Sequence, residues 1–374
     1  MTVTPPTSKS GPVGVGIIGA GVIAGTYLEN LTSFPDVVVH AIGDLYPEAA
    51  AKRAQEYGID THGGVEVVLE HPDVEIVVNL TVPIVHAEVA LAAIAAGKHA
   101  YNEKPLSLDL ASATQVMHAA EAAELRVGCA PDTFLGEGLQ TALRMIRRGD
   151  IGTPLTALTL MQSPGPESWH PNPAFLFQEG AGPLFDIGPY YLTTLVQTFG
   201  PADRVAAAAS KSRANRTIGS GPQAGQEFDV TVPSHHGSIT VFSSGASAQS
   251  IFSFDSPLPR AGWVEITGTE ATLAMSDPNA FEGDIRIRRR GGDDWEVAAE
   301  TKQLSSRGTG VLEMARAIRS GAPHRASGEL AFHVLDLMVS ISASAERGEF
   351  VPIESDYTLT DPLPDDWDPK AATL

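Results

Sequence analysis

The stretch "VGVGIIGAGVIAGTYLENL", Val13 to Leu31, restricts this chain to few folds. An apolar run of strand length meets a glycine turn, and apolar residues at helical spacing follow. The unit then repeats. "VVVHAIGD" reads as a second strand, and Pro47 opens a helix that ends at Gly58. "GGVEVVLEHP" reads as a short helix and "DVEIVVNL" as a third, buried strand. An alanine-rich helix closed by Gly97 comes next. "KHAYNEKP" is a short strand, "LDLASATQVMHAAEAAE" a helix and "LRVGCAP" a strand. Strands that alternate with helices require right-handed crossovers, so Val13 to Pro131 predicts a parallel, doubly wound α/β sheet, a Rossmann domain.

The rhythm changes after Asp132. "EGLQTALRMIRRGDIG" predicts a helix, "PLTALTLMQ" a strand and "AGPLFDIGPYYLTTLVQTFG" a second helix. Seven short strand patterns follow, from "RVAAAAS" to "DIRIRRR", with turn residues between them. They predict an open, mostly antiparallel sheet in an α+β domain. Two helices close the pattern. The chain therefore divides into a tail (1–12), a nucleotide-binding domain (13–131), a substrate and oligomerisation domain (132–353) and an acidic, proline-rich tail (354–374). With 374 residues, two cores are expected. The formal net charge of −20 argues against nucleic acid or an anionic membrane as partner. No apolar run is long enough to span a membrane. Cys129 is the single cysteine, which excludes an intrachain disulfide and fits a cytoplasmic setting.

"GAGVIA", Gly19 to Ala24, has the form G-x-G-x-x-A between strand and helix. Gly19 permits the tight turn, Gly21 lets backbone approach a pyrophosphate, and Ala24 lets the helix pack on the sheet. Val22 and Ile23 open that helix, whose N–H groups can receive phosphate. Asp44 ends the second strand, 20 residues beyond Ala24. A carboxylate there binds the ribose hydroxyls and repels a 2′-phosphate, which favours NAD over NADP.

"GIIGAGVIAG", "GD" and "NLTVPIVHAEVALAAIAAGKHAYNEKPLSLD", in that order, resemble the Gfo/Idh/MocA oxidoreductases. "AGKHAYNEKP" and "GPLFDIGPYY" carry the resemblance most specifically. It implies that Lys104 lies beside the nicotinamide and contacts the reacting hydroxyl, with Glu103 bordering the nicotinamide ribose. It places Thr81, Pro83 and His86 along the cofactor site and Asp186 opposite Lys104. It also implies a homodimer or homotetramer formed through the C-terminal sheet. Alcohol oxidation releases a hydride and a proton, and a lysine can take the proton or steady the alkoxide. Burial beside a cofactor cation should lower the Lys104 pKa towards neutrality. The stiff Lys104–Pro105 step can hold a cis bond.

One position departs from the family pattern. Asp-x-Gly-x-His becomes Asp186-Ile187-Gly188-Pro189-Tyr190. Three proton routes stay open: Tyr190 with its pKa pulled down by Lys104, His170 from the preceding loop, or Lys104 with water and Asp186. In that loop Trp169 suits stacking on a sugar face, and His170 and Asn172 suit hydroxyl groups. Asp132 and Thr133 are further substrate candidates. His235 and His236 are neighbours on one strand and face opposite ways, so no metal site is expected. His333 reads as packing or exposed rather than catalytic. The expected activity is NAD-dependent oxidation of a hydroxyl on a sugar, sugar derivative or cyclic polyol. The rivals are an NAD-retaining glycosidase working by transient oxidation and a non-catalytic nucleotide sensor.

Overall fold

The computed structural model describes residues 10–374. Most of the amino-terminal tail expected over 1–12 lies outside the described residues.

The first domain alternates as expected. Its strands are β1 (Val13–Ile18), β2 (Val37–Gly43), β3 (Thr61–Gly63), β4 (Ile76–Asn79), β5 (His99–Asn102) and β6 (Val127–Cys129). Its helices are α1 (Val22–Leu31), α2 (Pro47–Tyr57), α3 (Glu66–Leu69), α4 (His86–Ala95) and α5 (Leu110–Ala122). The strands are parallel in the order β3-β2-β1-β4-β5-β6. All of β1 and β4 is buried, as expected of strands covered by helices on both faces. The strand β3 was not foreseen. Its three residues "THG" carry no hydrophobic periodicity and pair only at the sheet edge.

The second domain follows. It contains α6 (Glu137–Arg148), β7 (Pro154–Gln162), α7 (Gly182–Phe199), β8 (Ala202–Ser210), β9 (Asn215–Thr217), β10 (Glu227–Asp229), β11 (His235–Phe242) and β12 (Ser247–Ser253). It continues with β13 (Arg260–Gly268), β14 (Ala271–Ala274), β15 (Ile285–Arg289), β16 (Glu296–Ala299), α8 (Thr309–Ser320), α9 (Gly328–Arg347) and β17 (Val351–Pro352). Nine strands form one sheet in the order β16-β15-β14-β13-β7-β12-β11-β8-β17. Every neighbour pair is antiparallel except β7 with β12, which is parallel.

The run "FDVTVPS", expected in that sheet, supplies only β10. With β9 it forms a separate two-stranded ribbon. Along β11 burial alternates, with His236, Ser238, Thr240 and Phe242 inside. The inner face packs on α7, where Tyr191 meets Phe252 edge-on. The outer face holds Ile239, Leu158 and Trp263, each more than a third exposed.

Ion pairs and backbone bonds join the domains. Arg316 and Arg319 of α8 reach Asp36 at 2.8 Å and Glu75 at 2.7 Å, and Cys129 of β6 donates its N–H to Ala326. The segment 354–374, expected as a tail, contains no strand or helix but lies against both domains. Tyr357 and Leu363 are buried, and Thr373 donates to Asp36 at 2.7 Å. Its prolines prevent regular structure, while its apolar residues still find cover.

Candidate active site

The strand order reverses between β1 and β4, and ligands of open α/β sheets bind beyond the strand ends at such a switch point. Gly19 stands there with φ +107°. A Cβ on it would come within 2.7 Å of the Leu80 carbonyl, so only glycine fits. A Cβ on Gly21 would meet nothing within 4 Å, so this part of the turn is open. Gly21 begins α1 with no side-chain cap, and the first N–H groups remain available to a ligand.

Val22 is 92% exposed, and Leu45, Val82 and Ile84 are exposed too. Apolar side chains left in water at the ends of neighbouring strands suit a flat apolar ligand ring. Ile23 is half-buried behind them. Asp44 accepts the Ala20 N–H at 2.6 Å and the Tyr46 N–H at 2.9 Å. Arg53 donates to the Gly21 carbonyl at 3.1 Å. The open turn, free N–H groups, apolar rim and carboxylate together fit a dinucleotide.

Asp44→Ala is expected to weaken NAD binding about ten- to a hundredfold and NADP binding far less, as read by ligand fluorescence. Equal losses would mean that Asp44 serves the Ala20 N–H alone.

Beyond β4 the expected cofactor residues divide. Thr81 turns its hydroxyl back to Asn79 at 2.6 Å, and Pro83 opens a short 3₁₀ turn. His86 is fully buried. Its Nδ1 lies 2.7 Å from the Pro105 carbonyl and its Nε2 lies 3.1 Å from that of Thr81. It braces the Thr81 loop against the Lys104–Pro105 step from beneath. Burial lowers its pKa despite both carbonyls. The Lys104–Pro105 bond is cis. Glu103 is also turned inward, accepting the Tyr27 hydroxyl at 2.8 Å and the Lys104 N–H at 2.9 Å.

Lys104 leaves β5 and meets α7 of the other domain. Its Nζ donates to the Asp186 carboxylate at 3.0 Å and to the Asp186 backbone oxygen at 2.6 Å. It lies 5.4 Å from the centre of the Tyr190 ring. The expected lowering concerned burial beside a cofactor cation, and Asp186 acts on Lys104 in the opposite sense. Burial does pull it down, but the negative charge of Asp186, with Tyr190 and Glu103, outweighs burial and raises it above its usual value. These neighbours favour the ammonium form of Lys104.

Lys104 does pull the Tyr190 phenol down, but a larger influence opposes it. Burial raises the phenol above the usual value, and Lys104 and Arg307 only partly offset this. Lys104 faces the ring, not the hydroxyl. The hydroxyl accepts instead from Arg307 Nη2 at 3.2 Å.

The loop before α7 runs close to the first domain. A Cβ on Gly180 would lie 2.7 Å from Leu108. Trp169 is 68% exposed there, and Asn172 is exposed. The His170 ring packs edge-on against Trp169 and Phe175, and its Nδ1 accepts the Asn172 N–H at 3.0 Å. These contacts all lie within the loop. Asp132 is fully buried, with Oδ2 accepting the Gly308 and Gly310 N–H groups at 2.8 and 3.0 Å. Burial raises its pKa to about 6. Thr133 is buried as well. His333 is buried and accepts the Ala202 N–H at 2.9 Å. No group of three metal-ligating side chains occurs among the described residues.

The pattern of the oxidoreductase family with an NAD-binding Rossmann fold matches residues 13–130, and that of the GFO/IDH/MocA C-terminal domain matches residues 139–274. The chain belongs to the Gfo/Idh/MocA oxidoreductase family. A 1,5-anhydro-D-fructose reductase from Ensifer adhaerens is 26% identical over 348 residues, covering 91% of this chain and 98% of that protein. A myo-inositol 2-dehydrogenase from Thermotoga maritima is 25% identical over 153 residues, covering 41% of this chain and 46% of that protein.

An NAD-binding oxidoreductase from Klebsiella pneumoniae superposes with a TM-score of 0.79 at 23% identity, covering 92% of this chain and all of that one. A levoglucosan dehydrogenase with NADH and levoglucosan superposes with a TM-score of 0.76 at 21% identity, again covering 92% and 100%. The matched ranges cover the first domain and the second domain as far as β14. Tyr27, Arg53, Asn279 and Arg307 were not foreseen from the sequence, and the last two lie outside the matched ranges. Tyr27 lies on the inward stripe of α1, which helical spacing can show. Arg307 sits in a loop with no local motif, so nothing in the sequence marks it.

Proposed function

We propose that this chain oxidises a secondary or anomeric hydroxyl of a sugar, sugar derivative or cyclic polyol. When bound, NAD supplies the hydride acceptor. The observation that carries this reading is the Lys104–Asp186 pair, made across two domains directly beside Tyr190.

Two of the Lys104 protons are held by Asp186, and the third is left for a substrate oxygen. A fixed ammonium steadies the charge that develops on that oxygen as its proton leaves. Asp186 holds the ammonium in place and keeps it charged. Tyr190, whose ring centre lies 5.4 Å from Lys104 Nζ, is the proposed proton partner. Trp169 and Asn172 are proposed to face the sugar, and Glu103, Thr81 and Pro83 to frame the cofactor end. The exposed apolar row on the outer face of the second sheet supports a homo-oligomer formed there.

The test is NADH absorbance on purified protein given NAD and a panel of aldoses, ketoses, anhydrosugars and inositols. Net NADH with one class is the expected result. NAD bound without NADH across the panel would shift the reading to redox-neutral or sensing use.

A further inference from the structure

Arg307 comes from the loop just before α8 and ends on Tyr190. Its guanidinium centre lies 5.5 Å from the ring centre, and Lys104 Nζ lies 5.4 Å from it. Its Nη2 donates to the Tyr190 hydroxyl at 3.2 Å and to Asn279 Oδ1 at 3.0 Å. Its Nη1 is buried with no partner. The placement is built: Asn30 holds the Arg307 carbonyl at 3.1 Å, and Asp132 holds the next N–H, that of Gly308.

An arginine cannot accept a hydrogen bond, so in this contact the Tyr190 oxygen must be the acceptor. A phenol has one proton. No protein acceptor for it is present among the described residues, so the proton is left to the cleft. We infer that Arg307 sets the polarity of Tyr190, reserving its proton for the substrate oxygen and lowering the cost of losing it. This rests on the dehydrogenase reading above and assigns a positioning role that the motif residues do not cover.

In the reducing direction the carbonyl carbon would take the hydride that bound NADH supplies, while the Tyr190 O–H bond breaks and its proton joins the carbonyl oxygen. The electron pair stays on the phenolate beside Arg307. In the oxidising direction the phenolate takes the hydroxyl proton back. The charged groups facing Tyr190 are Lys104 and Arg307, which favour the phenolate, and Glu103 and Asp186, which oppose it. Burial opposes it as well.

The experiment uses the full chain without substrate, grown with a fluorinated tyrosine that brings phenol titration into a range the fold survives. Tyr190→Phe assigns the ¹⁹F signal. Arg307→Gln is expected to move the Tyr190 midpoint upward by about one to three pH units, and Arg307→Lys by less, with circular dichroism reporting that both are folded. A Tyr190 signal that titrates no earlier in the wild type than in Arg307→Gln overturns the inference, and this includes a signal that titrates in neither. The pH profile of kcat/KM should move the same way once a substrate is in hand. Because the midpoint needs no turnover, failure of the sugar panel and failure of this inference remain separate results.

Discussion

Lys104→Met is expected to cut NADH formation by about 10²- to 10⁴-fold while NAD affinity changes little. Methionine keeps the length of the side chain and its packing against Tyr190. It removes the ammonium that Asp186 holds and the proton offered to the substrate oxygen. The loss should therefore fall on kcat more than on KM, because the interaction strengthens as charge develops. Asp186→Asn should lose less, since it leaves the ammonium present and removes only its anchor. Stopped-flow NADH formation measures both. A Lys104→Met enzyme that keeps more than a tenth of wild-type kcat would remove Lys104 from the chemistry and leave Tyr190 as the main proton partner.

Arg216→Met is expected to destabilise the folded chain by about 3–5 kcal/mol. Arg216 comes from β9, and its side chain is only 3% exposed. Its guanidinium bonds the carboxylates of Glu167 and Asp255, the Pro164 carbonyl at 3.1 Å and the Phe254 carbonyl at 2.9 Å. It also lies 4.7 Å from the centre of the Phe177 ring. Removing the cation leaves two half-enclosed carboxylates uncompensated, which costs more than the lost bonds alone. The loop that carries Trp169 and His170 hangs on this contact through Glu167. Urea unfolding should show the loss, and adding Glu167→Gln and Asp255→Asn should restore part of it. A single variant as stable as the wild type would mean that the cluster contributes no net stabilisation.

The Rossmann half was legible because its signals are local. Gly19, Pro47, Gly58 and Gly97 stand where turns and caps require them, and apolar periodicity fills the intervals. Lys104 and Asp186 were legible only through the resemblance, because no spacing places residues 82 positions apart at 3.0 Å. The electrostatic balance at Lys104 and Tyr190 was not legible, for one reason. The sequence shows which groups are present, but a pKa depends on the balance of burial against neighbours, and that balance appears only in three dimensions. β3, β9, β16 and β17 were too short for periodicity to register. The segment after Glu354 looked like a tail because its composition is polar, although its few apolar residues do the packing.

The parallel pairing of β7 with β12 has a consequence for how the protein assembles. The two strands lie about ninety residues apart in the chain, and the helix α7 and strands β8 to β11 lie between them. Closing so long an excursion costs entropy before any contact repays it. In the first domain β1 pairs with β4 across about sixty residues, from Val15 to Ile76, and the other pairings span fewer than thirty, so its closures cost less. Asp186 and Tyr190 ride on the enclosed helix. A refolding chain should therefore gain its dinucleotide pocket early and its cleft late, and affinity for NAD should return before turnover does.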